Sequence, residues 1–182
     1  RVAYLFCYSK QQNIGKSFFN EAVSEHLLTG GVVQADQALL SEGGFNAELA
    51  GAVLCYVEET DLGTRRGRAY DRIKAWVTGP EIRIHEKGCT PFLVPNATHW
   101  YQTANKPGFC PIFPGDTRVT MWEMQPPEPH EKASKASLHR RLAKEAPAFL
   151  ATLLSRQVSE DGDGRLRVPA ISTGVSRRQQ EA

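Results

Sequence analysis

The stretch SKQQNIGKS at residues 9–17 limits this chain to a small number of folds. It lies between an apolar run, VAYLFCY at residues 2–8, and the segment FFNEAVSEHLL at residues 18–28. A short unbroken apolar run is typical of a strand that is buried on both faces of a parallel sheet. The apolar residues of the third segment recur at helical spacing. We therefore predict a strand, a tight turn that contains a glycine, and a helix, in that order.

A Gly-Lys-Ser turn in this position favours a phosphate-binding loop. Between a strand and a helix, backbone N–H groups and the positive end of the helix dipole both favour bound phosphate. Lys16 is expected to reach the β and γ phosphates of ATP, and Ser17 to hold Mg²⁺. The usual pattern opens with a further glycine, a position that Lys10 occupies here. The predicted nucleotide contacts are Gln12, Asn13, Ile14, Gly15, Lys16 and Ser17.

A second apolar run, AVLCYV at residues 52–57, ends in two acids, Glu58 and Glu59. If this strand is parallel to the first, one carboxylate can hold Mg²⁺ and the next can activate a water molecule. We predict Glu58 as the metal ligand and Glu59 as the general base. A strand that merely leaves the core through polar residues has the same appearance. The phosphate-loop pattern upstream favours the catalytic interpretation.

Two further residues complete the predicted catalytic set. Asn105 follows the predicted strand THWYQTA at residues 98–104, where its carboxamide can orient water or contact the γ phosphate. Arg118 precedes the predicted strand VTMWEM at residues 119–124 and, in a ring of subunits, can reach the nucleotide of a neighbour. The alternatives are an ordinary turn asparagine and a surface arginine paired with Asp116.

The remaining sequence predicts a basic helix, a hairpin and a separate extension. The Pro-rich stretch QPPEPHEK at residues 125–132 suggests a core at residues 1–126 and a helical extension with a polar tail at residues 127–182. Pro147 lies within the predicted helix of that extension and is expected to kink or restart it. The predicted elements are a helix at 64–77, a hairpin made of 81–84 and 89–94, and a helix at 137–155.

Composition sets further limits. The chain is 41% hydrophobic with a net charge of +2, which does not by itself indicate a nucleic-acid-binding protein. Its four cysteines form no C-x-x-C pair, a usage that fits a reducing compartment and a cytoplasmic location. No apolar run approaches the roughly 20 residues of a membrane span, so we expect no membrane association. The chain opens at Arg1 without methionine, and we expect it to be part of a longer protein.

The order of these motifs resembles that of superfamily III helicases, which are AAA+ ring ATPases of phages, plasmids and DNA viruses. The resemblance is strongest to the helicase domain of phage primase-polymerases and primase-helicases, and it covers about residues 2–124. Three departures are Lys10 at the first glycine, Glu58 where aspartate is more usual, and a single arginine at Arg118. The matching segments are QQNIGKS, GGFNAELAGAVLCYVEE, IKAWVTGPEIRIHEK, HWYQTANKP and GDTRVTMWEM.

The resemblance implies a three-layer α/β/α P-loop domain with a central parallel sheet, a β-hairpin insertion and a small helical extension. It also implies ATP and Mg²⁺ as cofactors and DNA helicase activity during replication. The hairpin tip Lys87, with Arg83 and His85, would contact single-stranded DNA. Subunits would form a homo-oligomeric ring, suspected to be a hexamer, and the parent protein would carry a primase or polymerase domain. A P-loop kinase whose lid is the 64–77 segment, or an inactive ATP-binding structural module, are the alternatives.

Overall fold

A parallel β-sheet forms the centre of this protein. The computed structural model describes residues 3–63, 66–110, 112–157, 168 and 170–181. Five strands lie side by side in the order β2-β3-β6-β1-β7, all parallel, and β4 and β5 form a separate antiparallel hairpin. The strands are β1 (Tyr4–Tyr8), β2 (Val32–Gln34), β3 (Leu54–Glu58), β4 (Glu81–Ile84), β5 (Phe92–Pro95), β6 (His99–Ala104) and β7 (Val119–Glu123).

Helices flank the sheet, so the chain has the predicted α/β fold. They are α1 (Phe18–His26), α2 (Asp36–Leu40), α3 (Arg66–Thr78), α4 (Lys135–Ser155) and α5 (Gly174–Glu181), with short 3-10 turns at Ala47–Leu49, Pro107–Phe109 and Pro129–Glu131. The parallel sheet and the hairpin that the sequence predicts are both present. Among the described residues, no helix has the length and apolar character that a bilayer crossing requires.

Aromatic side chains fill the core beneath the central strands. Tyr4 is fully buried, and its ring lies 6.1 Å from that of Trp100, which in turn lies 5.8 Å from Trp76 of α3. Gln102 of β6 is also fully buried, but it accepts a hydrogen bond from the Tyr4 hydroxyl at 3.1 Å. Its amide donates to the Thr60 carbonyl at 3.1 Å, which satisfies a polar group that would otherwise destabilise the core.

The strand register brings three chain segments out of the sheet at one edge. Tyr8 at the end of β1 lies opposite Ala104 of β6, and Glu58 at the end of β3 lies opposite Thr103. The residues that follow these strand ends therefore emerge side by side. In open parallel sheets, ligands bind outside the carboxyl ends of the strands, so this edge is where a site is expected.

Two short elements, β2 and α2, occur between α1 and β3, where no element was predicted. α4 runs unbroken through Pro147, so the expected kink or restart does not appear in its assigned span. Ser134 caps its start, because the Ser134 hydroxyl accepts a hydrogen bond from the Ser137 N–H at 3.2 Å. Residues 64 and 65 of the predicted basic helix, and residues 158–167, 169 and 182 of the C-terminal part, lie outside the described residues.

The C-terminal segment returns to the sheet beside β7. The Ile171 N–H donates to the Thr120 hydroxyl at 2.9 Å, and the Thr173 hydroxyl donates to the Met121 carbonyl at 2.8 Å. These bonds attach the segment that leads into α5 to β7, a strand of the predicted core at residues 1–126. The division into a core at 1–126 and an extension at 127–182 stays a prediction.

Candidate functional site

The loop between β1 and α1 turns through left-handed backbone conformations. Gly15 has a φ of 89°, and an added Cβ would meet only the Phe18 Cβ at 3.9 Å. Glycine is therefore required here by the backbone angle rather than by crowding. Asn13 has a φ of 57°, and asparagine tolerates this region better than most residues. Lys10 does not have a positive φ, so its position in this loop does not demand a glycine.

Three of the predicted catalytic residues meet at the carboxyl edge of the sheet. The Lys16 ammonium donates to Asn105 Oδ1 at 2.8 Å and to the Gln11 carbonyl at 3.2 Å, and it lies 3.8 Å from Glu59 Oε1. Asn105 in turn donates from Nδ2 to Glu59 Oε2 at 2.5 Å. The three side chains therefore form a closed set of polar contacts across the ends of β1, β6 and β3.

Burial and backbone geometry distinguish the members of this set. The Lys16 side chain is only 7% exposed, so its charge is held by the neighbours just named, whereas Glu59 is 44% exposed and open to water. Glu59 also has a φ of 49°, a strained conformation for a residue with a long side chain. Its N–H donates to the Thr103 carbonyl at 2.9 Å, which helps to hold that conformation.

A buried asparagine in the first turn of α1 contacts one of the two predicted Mg²⁺ ligands, Glu58. Ser17 is the residue before α1, and its hydroxyl makes no capping hydrogen bond to that helix. Asn20 is 4% exposed, and its Nδ2 donates to Glu58 Oε1 at 2.8 Å. The Asn20 Oδ1 atom is buried without a hydrogen-bond partner. Sequence analysis missed Asn20, for which the only signal was a polar residue among the apolar positions of α1.

Tyr101 of β6 supports the loop from beneath. Its hydroxyl donates to the Lys16 carbonyl at 2.9 Å, and its ring lies 4.8 Å from the ring of Phe19. Burial, followed by the nearby Cys7 thiol, raises the Tyr101 pKa, so the hydroxyl stays protonated and can donate. Sequence analysis treated Tyr101 only as a strand residue, because its partner is 85 positions away.

These residues fit ATP and Mg²⁺. The buried amine of Lys16 and the left-handed loop around Gly15 suit phosphate oxygens. The Ser17 hydroxyl and the Glu58 carboxylate are oxygen ligands of the kind that Mg²⁺ prefers, and the unpartnered Asn20 Oδ1 beside Glu58 can accept from a water of the metal shell. Bound together, the two cofactors would supply a polarised γ-phosphoryl group for transfer.

Arg118 lies at the amino ends of the strands, opposite the carboxyl ends that Lys16, Glu59 and Asn105 follow. It immediately precedes β7, and its carbonyl accepts from the N–H of Tyr4 at the start of β1. Its guanidinium lies 3.5 Å from the carboxylate of Asp116, the pairing that was the alternative interpretation. Its Nε is buried and has no hydrogen-bond partner. Because the loop follows the carboxyl end of β1, Arg118 does not reach the site of its own chain.

The β4-β5 hairpin carries the three predicted DNA contacts. Arg83 and Lys87 are exposed, together with the apolar side chains of Phe92 and Leu93. His85 is half-buried, with its ring 4.8 Å from that of Phe45, so it lies at the base of the turn rather than at its tip. Charge and apolar surface together are what a sequence-independent contact with single strands requires.

A buried asparagine attaches the hairpin to the core. Asn46 is 2% exposed, and its Nδ2 donates to the Arg83 carbonyl at 3.0 Å while its Oδ1 accepts from the His85 N–H at 2.7 Å. The Asn46 N–H donates to the His85 carbonyl at 3.1 Å. Three backbone groups at the end of β4 are thus satisfied by one residue that the sequence did not single out.

Arg72, in the basic segment, has a structural role. Its guanidinium donates to the carbonyls of Ala38, Leu39 and Ser41 at 2.7, 2.9 and 2.7 Å, so it satisfies the carboxyl end of α2. Burial lowers the Arg72 pKa from its ordinary value, and the nearby Arg68 adds to this effect. The guanidinium of this partly buried basic side chain is therefore engaged within the chain.

Comparison with known proteins places the chain in a family and a fold. A family model described as a family of unknown function, DUF5906, matches residues 7–118, which include the loop, both acids, Asn105 and Arg118. No curated protein gives a significant match.

Two solved structures of the NrS-1 C-terminal region are similar in fold. The apo structure of residues 305–718 has a TM-score of 0.71 at 17% identity, and an A-form apo structure has a TM-score of 0.72 at 14% identity. The alignments cover 98% of this chain but only 42% and 41% of the solved chains, so this chain spans less than half of either. Since its matched residues make up well over half of its length, the chain belongs to the DUF5906 family.

Proposed function

We propose that this chain is an ATP-hydrolysing motor domain that acts on single-stranded DNA as a helicase in phage or mobile-element replication. One observation carries the proposal: Lys16, Asn105 and Glu59 converge on one another at the carboxyl edge of the sheet. Each comes from a different sequence motif, and each is of the type that phosphoryl transfer to water requires at that place.

Each side chain has a separate task in the proposed reaction. Lys16 would exchange its contacts with Asn105 and Glu59 for phosphate oxygens, and Ser17 and Glu58 would hold Mg²⁺. Glu59, released from the ammonium, would accept a proton from the attacking water while Asn105 keeps the carboxylate in place. The 44% exposure of Glu59 provides the access to water that a general base needs.

The ring and the DNA contact rest on two further observations. Arg118 lies at the amino ends of the strands, opposite Lys16, so its guanidinium can serve only a nucleotide on another subunit. The exposed hairpin offers Lys87 and Arg83 beside apolar surface, which suits phosphates and bases without sequence preference. The likeness of fold to the NrS-1 C-terminal region agrees with a domain that belongs to a longer protein.

The kinase alternative is less well supported by the geometry. It would use the 64–77 segment as a lid with free arginines, but Arg72 is engaged by three carbonyl groups of the neighbouring segment. The inactive-module alternative depended on Lys10, and Lys10 does not have the positive φ that would demand glycine.

The test is ATP hydrolysis with and without single-stranded DNA, measured on a chain long enough to assemble. We expect DNA to stimulate hydrolysis and the Glu59→Gln variant to lower the rate by about 100-fold or more, since a general base contributes about that much. Glu145→Gln, an exposed carboxylate on α4, is the matched control and should retain the rate.

Two results would contradict the proposal. Equal and negligible hydrolysis by the unmodified chain and by Glu59→Gln would indicate an inactive module. DNA-independent phosphoryl transfer to a small acceptor by a monomer would indicate a kinase. Assembly is measured in the same samples by light scattering, so that a failure to form a ring is distinguished from a failure of chemistry.

A further inference from the structure

Two histidines and a glutamate converge where the first helix of the core meets the C-terminal extension. His26 is the last residue of α1, Glu25 precedes it, and His139 lies in the first turns of α4. The two imidazoles are 13% and 19% exposed, and the carboxylate is 58% exposed. The cluster is thus walled on the imidazole side and open to solvent on the carboxylate side.

The three polar atoms form a compact triangle. His26 Nε2 lies 3.0 Å from His139 Nδ1, which lies 3.1 Å from Glu25 Oε2, and the third side measures 3.9 Å. The point equidistant from the three atoms lies about 2.0 Å from each, the length of a Zn–N or Zn–O bond. No movement of the helices is needed to bring the three atoms within reach of one ion. Tetrahedral angles require only that the 3.9 Å side shorten, by rotation of the exposed Glu25 side chain.

The surroundings of His139 match those of a metal-ligating histidine. Its other ring nitrogen, Nε2, lies 3.6 Å from Glu21 Oε2, and Lys135 Nζ lies 2.5 Å from the same oxygen. At 3.6 Å this is an electrostatic contact rather than a hydrogen bond, and a carboxylate on that side favours the tautomer in which Nδ1 carries the lone pair for a metal. The Phe18 ring lies 5.1 Å from the imidazole in an edge arrangement and forms an apolar wall.

We propose that Glu25, His26 and His139 bind one Zn²⁺ ion, with a water molecule completing four ligands on the open side. Imidazole nitrogen favours zinc and related transition metals, whereas Mg²⁺ and Ca²⁺ prefer all-oxygen sites. The site is separate from that of Ser17 and Glu58, because the nine residues of α1 place its two ends about 12 Å apart. Zinc there joins the extension to the helix that begins at the phosphate loop.

Zinc titration of the tag-free, metal-stripped protein tests this proposal. Calorimetry should give one ion per chain with a Kd of about 1 µM or tighter, and binding should persist in millimolar Mg²⁺. At zinc concentrations 100 times the Kd, the melting temperature should rise by about 5–10 °C. His139→Asn should abolish the tight site, whereas His130→Asn, an exposed histidine outside the cluster, should retain it.

A second variant keeps the test decisive if His139→Asn does not fold. Glu25→Gln changes an exposed side chain and leaves both imidazoles in place, and it should weaken zinc affinity by about tenfold or more. Absence of a one-to-one site in the unmodified chain would overturn the proposal. So would the same affinity in Glu25→Gln and the unmodified chain, since the two histidines alone would then account for any binding.

Discussion

Asn105 uses both ends of its carboxamide, and this explains why the end of β6 carries that residue type. Its Oδ1 accepts from the Lys16 ammonium, and its Nδ2 donates to the Glu59 carboxylate. Aspartate could not donate, and a hydroxyl could not span both partners. A single neutral side chain thus contacts both the cation and the anion, which themselves lie 3.8 Å apart, and holds each in place.

Lys10→Gly tests whether the missing glycine matters. Lys10 does not have a positive φ, so glycine there brings no relief of backbone strain. We expect ATP affinity to stay within about threefold, and the free energy of unfolding to fall by about 0.5–1 kcal/mol because the unfolded chain gains freedom. Fluorescent-nucleotide titration and urea unfolding measure the two quantities. A marked loss of affinity would mean that the Lys10 charge contacts the phosphates and that the loop binds nucleotide differently from the proposal.

Asn20→Ala tests the support of the proposed metal ligand. Without the Asn20 amide, the Glu58 carboxylate loses its 2.8 Å hydrogen bond and becomes free to rotate. Loss of a partner that orients a ligand typically weakens metal affinity by about 10–100-fold. The concentration of Mg²⁺ that gives half-maximal hydrolysis should rise accordingly, while ATP affinity in the absence of Mg²⁺ should not change. An unchanged Mg²⁺ requirement would remove Glu58 from the metal site.

At the scale of elements, the hairpin is connected to the core through a short series of polar contacts. Arg72 of α3 satisfies the end of α2, and Asn46 in the following loop satisfies three backbone groups at the end of β4. β4 and β5 pair only with each other among the described strands. The orientation of the hairpin therefore depends on these contacts rather than on the main sheet.

Asn46→Ala should loosen the hairpin without altering the ATP site. It leaves the Arg83 carbonyl and the His85 N–H without their side-chain partner, at a cost of about 1–3 kcal/mol for each group that stays buried. We expect single-stranded DNA affinity to fall by about three- to tenfold while DNA-independent hydrolysis is retained. Ala47→Ser, an exposed neighbour, is the control.

A cysteine in the hairpin allows a fluorescent dye to report whether Asn46→Ala loosens the hairpin. Cys89 is exposed in the turn, whereas Cys7 and Cys55 are buried, and burial raises their pKa values to about 11 and 12. Because a raised pKa leaves less thiolate at pH 7.5, a maleimide dye should react first at Cys89. The anisotropy of that dye should fall in Asn46→Ala. Equal anisotropy in the two chains would show that Asn46 does not hold the hairpin.

The elements that could be predicted are those whose signal is local. The apolar runs of β1 and β3 and the turn at Gly15 are visible in single windows, and Glu59 and Asn105 follow from their places after strands. β2 has only three residues at the sheet edge, too few to show a periodicity. Asn20, Asn46 and Tyr101 were missed because each role depends on a partner between 37 and 85 positions away.

At the scale of the whole molecule, the proposed catalytic residues lie at opposite ends of the parallel strands of one sheet. Lys16, Glu59 and Asn105 follow the carboxyl ends of strands, whereas Arg118 precedes β7, which runs parallel to β1. One chain therefore presents the proposed ATP site at the carboxyl ends of the strands and an arginine at their amino ends. If Arg118 acts in catalysis, a complete site needs two subunits arranged head to tail, which closes into a ring when the rotation permits.

Mixing two inactive variants tests this arrangement. Lys16→Ala removes the phosphate contact but keeps Arg118, whereas Arg118→Ala keeps the ATP site but lacks the arginine. Each should be inactive alone, and in an equal mixture about one quarter of the head-to-tail interfaces should combine an intact site with an intact arginine. ATP hydrolysis by the mixture should then rise to about that fraction of the unmodified rate. Because neither variant can restore the other within one chain, recovery requires assembly, and a mixture as inactive as its parts would confine Arg118 to its pairing with Asp116.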